Sequence, residues 1–137
     1  MKILFAVFLI SSLSYAPASP TTSAEEWDGT GNALLKRCSL DVRAMDGERI
    51  SSSDSVDATF CLGYLSGVID SDSMNQRLEA DDKDSKPLMK HVCVPNSASM
   101  GQASRITVKW LRENPDKLHY PAPVVAIAAL RRAFPCS

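Results

Sequence analysis

Four cysteines, Cys38, Cys61, Cys93 and Cys136, constrain this 137-residue chain more than any other feature. What they do depends on compartment, and the first residues indicate it. Lys2 is followed by an unbroken apolar run from Ile3 to Ile10, then by Ser11, Ser12 and the small-residue stretch "SYAPAS". A positive start, a short apolar core and an Ala-x-Ala ending describe a secretory signal peptide. With Ala16 and Ala18 as the small pair, residues 1–18 are expected to be removed by cleavage before Ser19. The apolar run falls far short of the ~20 residues a membrane helix needs, so no membrane span is expected.

In an exported protein an even cysteine count favours disulfides. Zinc competes weakly, because no two of the four have the two-to-four-residue spacing of structural zinc sites. A catalytic thiol would need a base, and only His91 and His119 are on offer, neither joined to a cysteine by a local signature. Neither a metal nor any other cofactor is expected. Removing Lys2 leaves the mature chain slightly acidic, since the full sequence already has 15 basic against 16 acidic residues. Nucleic-acid binding, which rests on a basic surface, is therefore not expected.

Four segments carry helical periodicity. In the first, Leu34, Leu35, Cys38, Val42 and Met45 make one stripe, with Asp28 or Thr30 as the cap. The second follows "SSSDS" and places Val56, Phe60, Tyr64 and Val68 on one face, flanked by Leu65 and Ile69. The third opens on a capping box, Ser99 with Gln102, runs through Ala103, Ile106, Trp110 and Leu111, and stops at Asn114-Pro115. The fourth opens at Pro121 or Pro123 and continues through Val124, Ile127, Ala128 and Leu130. Strand alternation is absent. The expected fold is all-α, a small bundle of about four helices over residues 30–137, preceded by a flexible lead-in at 19–29.

An up-and-down bundle selects among the three pairings of four cysteines. The end of the first helix meets the start of the second, and the start of the third meets the end of the fourth. Cys38–Cys61 and Cys93–Cys136 follow, each worth a few kcal/mol in the chain-entropy model. Gly63 and Gly67, in "FCLGYLSGVID", lie one turn apart inside the second helix. Each costs that helix about 0.5–1 kcal/mol relative to alanine, so both are expected beneath a closely packed neighbouring segment.

"GNALLKRC" at 31–38, "FCLGYLSGVID" at 60–70, "CVP" at 93–95, "GQ" at 101–102, "WLRENPDKLH" at 110–119 and "ALRRAFPC" at 129–136 together resemble the Rap/Tai immunity-protein family. The resemblance implies a small helical periplasmic protein, often a homodimer, that neutralises a peptidoglycan amidase delivered by type VI secretion. The shared motifs are scaffold residues, so no toxin-contacting residue carries over.

The residues suggest one contact surface. The stretch from Asp70 to Cys93 begins acidic, and Asp72, Glu79, Asp81, Asp82 and Asp84 could rim a basic toxin cleft. The plainer reading is a solvated connector. Asp70 lacks a partner for catalysis and is expected to cap or hydrogen-bond. Tyr64 and Trp110 read as core, His119 as a loop hydrogen-bonder, and Trp27 as packed or exposed. No nucleophile–base–orienter set is visible, so an enzyme is not expected. The alternative to an amidase inhibitor is a disulfide-stapled envelope module, structural or chaperone-like, with another partner.

Overall fold

The computed structural model describes residues 26–81 and 92–136, without the side chains of 76–81. The expected signal peptide and most of the expected lead-in lie outside the described residues. Four helices follow in order: α1 (Gly31–Met45), α2 (Ser52–Asp81), α3 (Met100–Glu113) and α4 (Ala122–Ala133), with a 3-10 turn at Pro115–Lys117. The only β pairing among the described residues is a single bridge between Thr30 and Pro121. The fold is all-α, as the periodicity predicts.

The helix starts are capped by the expected residues. Thr30 caps α1 and accepts from the Ala33 N–H at 3.4 Å, while Asp28 accepts from both the Thr30 N–H and its hydroxyl at 2.9 and 2.7 Å. Ser51 accepts from the Asp54 N–H, and its own N–H reaches the Asp54 carboxylate, which closes a reciprocal box at the start of α2. Ser99 accepts from the Gln102 N–H at 3.1 Å to start α3. Gly47, at φ +85°, supplies the left-handed residue that ends α1.

The starts of α1 and α4 are stitched together by backbone. Gly31 donates to the Tyr120 carbonyl, Asn32 to that of Leu118, and Ala122 to that of Gly29. The start of α1 lies so close to the segment before α4 that a Cβ on Gly31 would be 3.0 Å from the Leu118 oxygen. Residues 27–29, expected in a flexible lead-in, are part of this packed junction.

One buried cluster joins all four helices through Leu34, Cys38, Cys61, Leu65, Leu111 and Val125, all at most 1% exposed. A smaller one gathers Val92, Ala103 and Leu130 beneath Ile69, Ile106 and Phe134. Each cluster has its own disulfide. Cys38–Cys61 and Cys93–Cys136 are both formed, with Cα separations of 5.0 and 5.1 Å. The pairing is as expected, but the first bridge joins helix interiors rather than helix ends. Cys38 is midway along α1 and Cys61 is the tenth residue of α2. Among the described residues no helix is long and apolar enough to cross a membrane.

Candidate functional site

The longest helix shows two different faces. Ala58, Cys61, Leu65 and Asp72 of α2 are buried, at 0–8% exposure. Half a turn away, Val56, Phe60, Gly63, Gly67, Asp70 and Met74 are all exposed. Their spacing, alternating four and three, draws one straight row along the helix. The expected core face of α2 is therefore out of phase: Val56 is 70% exposed and Phe60 37%, while Tyr64 and Val68 only border the core. Apolar residues occur on every side of this helix, so periodicity alone does not set the phase. Cys61 does set it, because a disulfide that joins two packed helices within their lengths must face inward.

The same phase corrects the glycines. A Cβ built on Gly63 or on Gly67 meets nothing within 4 Å. No segment of the described chain packs on them, and the closely packed glycines are Gly31, against the Leu118 backbone, and Gly101, against the Met45 side chain. Gly63 and Gly67 instead open onto a surface cleft of about 510 Å³ between α2 and α4, bounded by Tyr64, Val68, Pro123 and Ile127. Their absent side chains leave the α2 backbone bare on its outer side.

At the N-terminal end of the row stands an aromatic cluster. Trp27 packs against Phe60 and Tyr64 with ring centroids 4.8 and 5.1 Å away. The Arg37 guanidinium lies 5.1 Å from the Trp27 ring and 5.0 Å from that of Phe60, and its Nε is 3.0 Å from an Asp57 oxygen. A cation over two ring faces fixes their orientation, so Phe60 is presented rather than loose. Burial pushes the Tyr64 phenol above its ordinary value. Sequence reasoning left Trp27 open and missed Arg37 altogether. A charged residue beside Cys38 on a buried helix face was the available signal, since buried charge implies a partner.

The acidic residues divide. Asp72 is buried and accepts from the Val92 N–H at 3.1 Å. It ties α2 to the segment entering Cys93 and is not a rim charge, contrary to expectation. Asp70 is exposed and lies 3.4 Å from the Ser66 hydroxyl. The backbone at Glu79 and Asp81 is helical, so the stretch from Asp70 begins as a continuation of α2 rather than as a connector. Asp82 and Asp84 lie outside the described residues. Trp110 borders the core, and His119 stacks edge-on against Tyr120 with ring centroids 4.5 Å apart. No metal-holding group of His, Cys, Asp or Glu occurs among the described residues.

The outer side of α2 thus combines exposed Val56, Phe60 and Met74, an aromatic group pinned at Trp27 and Arg37, and a stretch of open backbone at Gly63 and Gly67. No curated protein and no solved structure matches the chain. The family of Rap1a immunity proteins does, over residues 30–136. That span takes in every helix among the described residues, both disulfides and the α2 row, and the chain belongs to the Rap1a immunity protein family.

Proposed function

We propose that this is a periplasmic immunity protein that binds and inhibits a peptidoglycan amidase toxin of type VI secretion, protecting the cell that makes it. The family match over residues 30–136 carries the reading. Two features support the compartment. The N-terminal pattern is that of an export signal, and two disulfides suit an oxidising space.

Inhibition of this kind needs only a surface that occupies the toxin. The outer row of α2 has the required parts. Phe60 is an aromatic anchor held in place by Trp27 and Arg37, and such anchors dominate binding energy at interfaces. Gly63 and Gly67 let a partner's backbone or side chains come close. Glu79 and Asp81 in the last turn of α2, with Asp82 and Asp84 following in the sequence, supply negative charge to steer a basic partner. The homodimer implied by the family resemblance belongs to the same proposal, and sedimentation of the mature protein should show twice the monomer mass.

The test is protection. Amidases encoded near the gene are directed to the periplasm, with and without this protein. Cells lacking it should lyse and cells exporting it should survive, while the protein without residues 1–18 should not protect. Lysis regardless of its presence, across every neighbouring amidase, would remove the reading and leave only the fold.

A further inference from the structure

Charge is distributed unevenly over the helices. α2 carries Asp54, Asp57, Asp70, Asp72, Glu79 and Asp81 with Arg77 as its single base. α3 and α4 carry Arg105, Lys109, Arg112, Arg131 and Arg132 with Glu113 as their single acid. Three of these five cations are engaged. Arg105 pairs with Asp46 at 2.6 Å, Arg112 reaches the Ser39 hydroxyl at 3.4 Å, and Lys109 is 3.9 Å from Glu113. Arg131 and Arg132, both exposed in the last turn of α4, have no carboxylate or hydroxyl partner among the described residues. The helix dipole favours cations at this end, but it leaves the guanidinium N–H donors unused.

Those two arginines rim a cleft of about 610 Å³ between α3 and α4, whose apolar lining is Trp110, Val124, Ile127 and Pro135. On the other side of Trp110 and Arg132 a second cleft of about 300 Å³ extends toward Lys109. The Cys93–Cys136 bridge and the hydrogen bond from the Cys93 N–H to the Phe134 carbonyl fix the wall carrying Pro135. Trp110 and two guanidinium forks without carboxylate partners among the described residues thus line one cleft, one wall of which is held by a disulfide. Arginine forks match carboxylates in geometry, and Trp with Arg is the pairing that concentrates energy at protein interfaces.

We propose that this cleft docks an acidic segment of a protein partner, an apolar side chain of that segment resting on Trp110 while its carboxylates pair with Arg131 and Arg132. The site uses no residue of the α2 row, although its cleft shares Ile127 with the one at the α2 glycines, and it does not require the partner to be an amidase. Two arginines on an otherwise slightly acidic protein are too few for nucleic acid, whose binding grows with each phosphate neutralised.

The experiment titrates isotope-labelled mature protein with a short peptide of four glutamates flanking Leu-Phe, and with its counterpart carrying lysines in place of glutamates. The glutamate peptide should shift the Trp110 indole N–H and the side-chain N–H signals of Arg131 and Arg132. Its affinity should fall as salt rises from about 50 to about 200 mM, because screening shortens the reach of these charges. Arg131→Glu with Arg132→Glu should weaken it at least about tenfold, and the gentler Arg131→Gln with Arg132→Gln should weaken it less. Phe60→Ser should leave it unchanged. The proposal fails if the glutamate peptide does not bind, if the lysine peptide binds equally, or if Phe60→Ser abolishes binding while the arginine variants keep it. It also fails if the arginines instead govern attachment to vesicles of phosphatidylglycerol.

Discussion

The two faces of α2 are made from similar residues and meet opposite fates. The inner row of Ala58, Cys61 and Leu65 is buried against α1, α3 and α4, whereas the outer row of Val56, Phe60, Gly63, Gly67 and Met74 faces solvent. Burial is proportional to apolar area removed from water, so the inner row contributes to stability and the outer row hardly at all. A helix that only had to fold would place polar residues outside and alanine where the glycines stand. A contact with the proposed partner would account for the outer row.

The contrast should be sharpest in stability. Replacing Cys38 and Cys61 together by alanine should cost about 3 kcal/mol in lost loop constraint, with lost packing added, because the bridge closes 23 residues inside the main core. Denaturant unfolding measures it, and a negligible loss would mean the inner row is not the centre of the core. Leu65→Ala, at a fully buried position, should cost roughly 2–5 kcal/mol. Phe60→Ala in the outer row should cost much less, limited to its contacts with Trp27, Tyr64 and Arg37.

The glycines sharpen the comparison further. Gly67→Ala should stabilise the protein by about 0.5–1 kcal/mol, since alanine is the better helix former and its Cβ meets open space. Gly31→Ala should do the reverse, because the added methyl would press on the Leu118 backbone. Melting temperatures that moved in the same direction would break the distinction between an exposed and a packed glycine.

The smallest expected effect belongs to the junction at Asp28. The Thr30 hydroxyl, and after it the Thr30 N–H, holds the Asp28 carboxyl below its ordinary value. A carboxylate lowered by folding contributes stability that is present above its ordinary value of about 4 and is lost as pH falls through the lowered one. Asp28→Asn should therefore slightly reduce the loss of melting temperature on acidification from neutral to about pH 3. An identical acid profile would remove Asp28 from the account.

Much of this was legible in the residues. Helix number, the Ser99 cap, a cap at Asp28 or Thr30, and the Cys93–Cys136 pairing follow from local pattern plus the ends of a bundle, whereas Cys38–Cys61 pairs as expected but between helix interiors and not helix ends. The phase of α2 did not, because Val56, Phe60, Leu65 and Ile69 put apolar surface on several sides at once. The cysteines held that information, and it becomes readable only once Cys61 is taken as an inward-facing residue. Asp72 misled for a related reason. A carboxylate in an acidic run reads as solvated, and its backbone partner, Val92, is twenty residues away. The unpaired Arg131 and Arg132 were visible as sequence, but their freedom from partners is a tertiary fact.

The central claim is that the outer row of α2 is a binding face, and Gly67→Leu tests it most directly. The variant should fold with a melting temperature at least equal to that of the wild type, because the site is open. Against an amidase that the wild-type protein inhibits, it should bind about tenfold to a hundredfold more weakly, the equivalent of 1–3 kcal/mol of overpacking at a close contact. A stable Gly67→Leu variant that inhibits as well as the wild type would contradict the claim and move the toxin contact away from this face.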